Sequence, residues 1–364
     1  MYSGERLNFD PINALNDNFV NPREILNQGA PILTKFGVEV DPISEAGLFQ
    51  QAMNELNPRF AKGRELTRFE LEADDTQWSD QDRLLIVETA RDFGLLNERT
   101  DLAGNYDAVI AMGAARMAPL DRLKYAAGAV ESGAAKAKLL IAAGSERKVG
   151  DAERSATDTY APGAVTEFDL GMGAASKVAR ESRLLVAPLL VPGERAGNID
   201  VFNAVGDTLV SQGLLERALG AVTTEIYRKA TEMDMRFVAR VMGIPRIAVA
   251  GNPSDQAIVD RRTPSTYLAE VVRTMRSASA LAAQDQERMT AETKRKVDAL
   301  EGFLQGKNVD FVSPGEFADY SSSSWDRDLN RVEFDPDSGR MFSWVRRSSG
   351  ITYDNPSDPI GYYE

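Results

Sequence analysis

Two residue types are missing from this 364-residue chain: it contains no histidine and no cysteine. Without cysteine it can form no disulfide, hold no iron–sulfur cluster through thiolates and offer no thiolate nucleophile. Without histidine it lacks Ser-His-Asp catalysis, an imidazole general base and the usual zinc ligand sets. Any acid–base chemistry therefore falls to Asp, Glu, Lys, Tyr or carboxylates tuned by arginine. Long apolar runs are missing too. Nothing approaches the roughly 18 uninterrupted apolar residues of a membrane helix, which predicts no membrane insertion. The polar start, Met1-Tyr2-Ser3-Gly4-Glu5-Arg6, has no apolar stretch of a secretory leader and reads as cytoplasmic.

What is present is ordinary for a globular protein: 43% hydrophobic and 27% charged residues. The formal net charge of −13 argues against a nucleic-acid partner, because binding phosphate backbones needs a concentrated basic face. It argues equally against docking on anionic lipid and mainly favours solubility.

Residues 1–75 show no clear period and are punctuated by Pro11, Pro22, Pro31, Pro42 and Pro58. One short helix is expected near Glu45–Leu56, within an extension lying on the main domain. Ser79 with Asp82 resembles a capping box, and Leu84, Val87 and Phe93 follow at helical spacing before Gly94. Tyr106-Asp107-Ala108-Val109-Ile110-Ala111-Met112-Gly113 is a short apolar run ending in glycine, as a buried parallel strand would. A helix through Leu120, Leu123, Ala127 and Val130 closes at Gly133. Ala137 to Gly144 then gives a second strand and completes a βαβ unit with a right-handed crossover. Ser182–Ala187 is a third strand candidate. Thr223 is expected to open a helix with Ile226, Met233, Phe237 and Val241 on one face, ending at Gly243. Arg246–Gly251 is a further strand, and Thr263-Pro264 a helix start continued by Tyr267, Val271 and Met275. Residues 284–306 read as a separate charged helix with Met289, Val297, Leu300 and Leu304 inward. Val332–Phe334 and Met341–Val345 flank a turn and predict a β-hairpin.

These elements predict an α/β fold: a Rossmann-like parallel sheet with helices on both faces, an N-terminal extension and a C-terminal β-hairpin tail. The expected divisions are 1–100, 101–312 and 313–364. Ligands of such sheets bind outside the carboxyl ends of the strands. Candidate binding residues there are Gly113 and Arg116, then Gly144, Ser145 and Arg147, then Asn252, Arg261, Arg262, Thr263 and Thr266. The Arg261-Arg262-Thr263-Pro264 segment is the most specific, since a helix start with two guanidiniums suits phosphate or carboxylate. Glu146, Glu153 and Asp169 are the candidate catalytic carboxylates, with Glu167 nearby. Each also has a plainer reading, as a strand-ending glycine, a helix cap or a solvated acid. Neither a dinucleotide fingerprint nor a P-loop is present, and no metal-ligand spacing is found.

The run from Tyr106-Asp107-Ala108-Val109 through Gly113 and Arg122-Leu123 to Leu139–Gly144 resembles the opening of the YdcF/SanA-like family. These are Rossmann-like bacterial proteins classed as a domain of unknown function. Glu146-Arg147 with Glu153, then Ile247–Ala250, then Arg262-Thr263-Pro264-Ser265-Thr266-Tyr267 resemble later family segments, so that the likeness spans roughly residues 105–285. It implies a nucleotide-like or S-adenosylmethionine-like ligand. The family continues with a loop bearing His or Tyr near Pro and Arg, whereas Ala278–Gln284 here reads as helix, which moves the balance from enzyme toward binding protein. The leading expectation is a protein binding a small anionic or nucleotide-type ligand. A carboxylate-based transferase or hydrolase, and a non-enzymatic interaction protein whose degenerate Rossmann core displays the N-terminal segment and the C-terminal hairpin to a partner, are the alternatives; a homo-oligomer through the hairpin is also expected.

Overall fold

The structure, a computed structural model, describes residues 21–58, 60–61, 64–65, 78–96, 101–194, 196–215, 218–244, 246–253, 262–304, 329–334, 341–346 and 352–353. Chain contacts divide it into two units: Val20–Gln284, and Met1–Phe19 with Asp285–Glu364.

The larger unit is built on a five-stranded, all-parallel sheet. Its strands are β1 (Gly104–Ala111), β2 (Ala135–Ser145), β3 (Val186–Val191), β4 (Leu219–Thr224) and β5 (Ile247–Asn252). Their spatial order is β3-β2-β1-β4-β5, the doubly wound Rossmann order in which the winding reverses between β1 and β4. Its register is continuous at the centre: Ala108 lies beside Leu139 on one side and Leu219 on the other.

Nine helices, α1 to α9, are described before, between and after these strands. Before the sheet come α1 (Pro22–Lys35), α2 (Ala46–Leu56) and α3 (Asp80–Asp92). Between strands run α4 (Ala118–Glu131), the short α5 (Asp151–Thr157), α6 (Glu167–Glu181), α7 (Asn198–Ser211) and α8 (Arg228–Met242), and after β5 comes α9 (Pro264–Leu304). One sheet face packs on Leu120, Leu123, Leu170 and Val178 of α4 and α6. The opposite face packs on Phe202, Val205, Met235 and Val238 of α7 and α8. A third cluster joins Ile25, Ile32, Phe49, Met53, Ile86 and Phe93 to Leu268, Val271, Val272 and Met275 of α9. The N-terminal helices therefore share a core with α9, and Trp78 Nε1 donates to Ser265 Oγ at 2.7 Å.

Several local expectations are borne out. The Ser79–Asp82 capping box forms, and both Gly94 and Gly243 adopt the left-handed conformation that ends a helix. The hairpin is present as Leu329–Phe334 against Met341–Arg346, with Val332 opposite Trp344, and Thr352–Tyr353 adds a third strand.

Other expectations need correction. The third strand runs over Val186–Val191 rather than 182–187, because α6 extends to Glu181 and Ser182 closes it by donating to the Val178 carbonyl. Pro188 looks like a strand terminator, yet β3 is an edge strand where a missing N–H costs no ladder bond. Thr223 belongs to β4, a central strand that was not foreseen, and the following helix begins only at Arg228. Gly220 disguises β4, and it is small because a Cβ there would lie 3.0 Å from the Val109 side chain. Val241 and Leu84 are 69% and 59% exposed and face away from the core. The two expected helices after Thr263 are one 41-residue helix, along which Met289 is half exposed. The side chains of Val297, Leu300 and Leu304 lie outside the described residues. Helices α1, α5, α6 and α7 were not anticipated.

Candidate functional site

The switch point between β1 and β4 is occupied at its base by Arg122, a buried side chain from the first turns of α4. Its Nη1 donates to the carbonyls of Met112 at 2.8 Å and Gly113 at 2.9 Å, just past the end of β1. Its Nη2 and Nε donate to Thr224 Oγ1 at 3.0 and 3.3 Å, at the end of β4. One guanidinium thus clamps the two strands where the winding reverses.

The ring of Tyr227 lies against this clamp. Arg122 is 5.9 Å and Arg273 is 5.7 Å from its centroid, an arrangement in which the ring faces attract cations. Arg273 comes from α9 and has Glu270 Oε2 3.6 Å away. Its charge reaches Asp234 of α8. Asn198, the first residue of α7, donates to Asp234 Oδ2 at 2.8 Å and to Thr231 Oγ1 at 3.2 Å. Burial pushes the Asp234 carboxyl above the usual carboxylate range, and Arg273, Ser277, Asn198 and Arg276 offset this only in part.

A second buried charged group stands beside it, at and behind the ends of β4 and β5. Arg228, Glu232 and Arg236 form an i, i+4 ladder along α8, with contacts of 3.1 and 2.7 Å. Arg262 reaches Glu225 at 3.1 Å, with side-chain exposures of 0% and 7%. Charges are rarely this buried unless paired. Their concentration here was not visible as a sequence pattern, because the residues come from three separate segments.

The residues expected to form the site fall into three places. Thr263 acts as the start of α9, its hydroxyl lying 3.3 Å from that of the buried Thr266 and its carbonyl accepting from Tyr267 N. Asn252 ends β5. Arg262 belongs to the buried pair just described, and Arg261 lies outside the described residues.

At the end of β2, Ser145 donates to Glu167 Oε2 at 2.6 Å, and Arg147 Nε donates to Glu167 Oε1 at 2.7 Å. Arg147 also approaches Glu153 at 3.5 Å. Glu153 accepts from Gly150 N at 3.0 Å, and Glu146 accepts from Gly193 N at 2.7 Å. Asp169 completes a capping box with Thr166 at the start of α6. Burial opposes its ionisation, but hydrogen bonds from the Val165 and Thr166 N–H groups and the Thr166 hydroxyl prevail and hold its carboxyl below the ordinary value. All three candidate carboxylates are therefore engaged as caps or loop ties. Among the described residues no group of three or more acids is placed to hold a metal ion.

Gly144 and Gly113 are accounted for by close packing. A Cβ on Gly144 would sit 2.6 Å from both the Glu167 carbonyl oxygen and the Phe168 Cα, and one on Gly113 would sit 2.9 Å from the Ala143 oxygen. Arg116, in the loop after β1, has φ +55° and is the one non-glycine residue with positive φ among the described residues. Its carbonyl accepts from the Tyr160 hydroxyl at 2.5 Å. Burial first, and then the charges of Asp121 and Glu153, push that hydroxyl's pKa up, so it stays a donor.

The sequence reading missed Tyr227, Asp234, Arg273, Arg276 and Asn198 as site residues. The one signal available was the regular recurrence of charge along α8 in a helix flanked by two strands. No protein family, curated protein or solved structure matches the chain. No described helix is long and apolar enough to cross a membrane.

Proposed function

We propose that the protein binds a small anionic or nucleotide-type ligand at the carboxyl edge of its parallel sheet, at the β1–β4 switch point. The observation that carries this reading is the gathering of guanidiniums there. Arg122 at the ends of β1 and β4, Arg228 at the start of α8 and Arg262 paired with Glu225 are all buried, and Arg273 reaches the Tyr227 ring from α9, in a chain whose net charge is −13. Helix starts and strand ends at a switch point supply N–H donors and polar side chains to a bound anion. The resemblance to YdcF/SanA-like proteins supports a nucleotide-like or S-adenosylmethionine-like ligand, and the acidic surface supports a cytoplasmic setting without nucleic acid. The caps made by Glu153 and Asp169 and the loop tie made by Glu146 favour binding over carboxylate-driven catalysis.

Native mass spectrometry of freshly purified protein tests this. A co-purifying anionic small molecule is the expected result. A saturating ligand at 100 times its Kd adds about 2.7 kcal/mol of stability, so thermal scans with ATP, S-adenosylmethionine and pyrophosphate give a second readout. No adduct together with no thermal shift from any of the three would sink the reading.

A second reading is an interaction protein assembling through its C-terminal hairpin. It is favoured by the separate three-stranded antiparallel sheet of residues 329–353. Deleting residues 321–364 would then lower the mass in solution to that of a monomer, as measured by light scattering.

A further inference from the structure

β3 lies at one end of the strand order, and among the described residues it pairs with β2 alone. The run Leu184-Leu185-Val186-Ala187-Pro188-Leu189-Leu190-Val191 holds no charge; the flanking charges are Arg183 and Glu194. Leu185 and Leu190 are 68% and 42% exposed, and Pro188 is exposed as well. A short, uncharged, apolar strand with an open edge is a template for a further strand. A net charge of −13 drives copies of the chain apart, but this strand adds nothing to that repulsion.

The register shows which backbone groups face outward. Leu140 N donates to the Leu185 carbonyl at 2.9 Å, and Glu146 N to the Gly193 carbonyl at 3.3 Å. In a strand, the N–H and C=O of one residue point to the same side, and that side alternates along the chain. Leu185, Ala187, Leu189 and Val191 therefore direct their backbone groups to β2, while Val186, Pro188 and Leu190 turn theirs away. That outward row holds three carbonyls but only two N–H groups, because Pro188 has none. Its ring stands where the missing hydrogen would be.

Pro188 is also central to the row. Two copies of β3 related by a two-fold axis run antiparallel, and facing residues with outward groups exchange both of their bonds. Setting Val186 of each copy opposite Leu190 of the other places the two Pro188 residues face to face on the axis. Both central bonds are then lost and the rings collide. Sliding one copy by two residues sets Pro188 against Val186 or Leu190 instead. Every such register leaves carbonyls between the strands without a donor, which costs more than an ordinary hydrogen bond returns.

We propose that the β3 edge is a surface that fits the β3 edge of a second copy of this chain, and that Pro188 keeps it closed. The proline does so without loss to the sheet, since no bond to β2 would use its nitrogen. Neither a ligand at the carboxyl edge nor assembly through residues 329–353 is needed for this.

The test is light scattering of the full-length protein over a range of concentrations, for wild type, Pro188→Val, and Pro188→Val combined with Leu190→Lys. Pro188→Val restores the central N–H and supplies a β-branched side chain, so its mass should rise with concentration to twice that of wild type or more. Leu190→Lys puts like charges on both sides of the axis, and the double variant should return to the wild-type mass. Circular dichroism of all three should coincide. Equal masses for Pro188→Val and wild type overturn the proposal. A rise in mass that Leu190→Lys leaves in place also overturns it, by locating the contact elsewhere. Loss of the wild-type spectrum in Pro188→Val does the same, by giving the proline a role inside the fold.

Discussion

Alanine at position 144 would set a methyl group against backbone that cannot rotate away. The added Cβ meets the Glu167 oxygen at 2.6 Å, the Phe168 Cα at 2.6 Å and the Glu167 carbonyl carbon at 2.8 Å. All three atoms belong to the first turn of α6, which is anchored by the Thr166–Asp169 capping box and by Glu167 bonded to Ser145 and Arg147. Relief requires moving that turn off the end of β2, which strains these bonds together. Overpacking a well-ordered core costs about 1–3 kcal/mol, and three simultaneous backbone contacts place Gly144→Ala at about 3 kcal/mol or beyond, over a hundredfold in the folding equilibrium. Gly113→Ala meets one such atom, the Ala143 oxygen at 2.9 Å, and should cost about 1–2 kcal/mol. Gly128 lies exposed within α4 with nothing near its absent Cβ, so Gly128→Ala should stabilise by about 0.5–1 kcal/mol. Urea unfolding followed by circular dichroism without ligand gives the ranking. If Gly144→Ala matches wild type within 0.5 kcal/mol, the packing account is wrong, and the glycine would then be kept for approach of a ligand.

Arg262→Met alone should destabilise by about 3–5 kcal/mol by leaving Glu225 buried without its partner, and adding Glu225→Gln should recover most of it; a double variant no better than the single one would refute the pair. Because burial raises the Asp234 pKa, its protonated form is favoured in the folded protein. The stability it lends at acid pH is lost as pH climbs from about 3.8 through the raised folded value, and Asp234→Asn should flatten urea midpoints over that window and exceed wild type above it. An unchanged pH slope would contradict this. Asp169→Ala should lower stability by about 1 kcal/mol as a lost cap while leaving probe affinity intact; a selective loss of binding would return Asp169 to the site. Arg116→Gly should keep or slightly raise stability, since glycine adopts φ +55° without the Cβ penalty, and a fall in the unfolding midpoint would show that its side chain anchors the loop.

Much of the fold was legible because it is local. β1 and β2 each carry a short apolar run, Ala108–Met112 and Leu139–Ala143, followed directly by glycine, and the capping box at Ser79 and the Thr263-Pro264 helix start signal themselves within four residues. β4 was not legible. Its Leu-Gly-Ala-Val-Thr-Thr run is short and small because Val109 and Tyr106 press on Gly220 from the neighbouring strand, a constraint that exists only once the sheet has formed. The bounds of β3 were not legible for the same reason, since the tolerance of Pro188 within it depends on β3 being an edge.

The chain's composition by itself excluded imidazole and thiolate chemistry, and its alternating pattern determined the parallel α/β class. Those properties depend on residue identity and short-range period. Which residues share the switch point was decided only by tertiary structure. Arg122, Tyr227 and Arg273 are spread over more than 150 positions and meet at the end of β4, where the strand order reverses. The same packing turned Glu153 and Asp169 into caps and closed Arg262 onto Glu225.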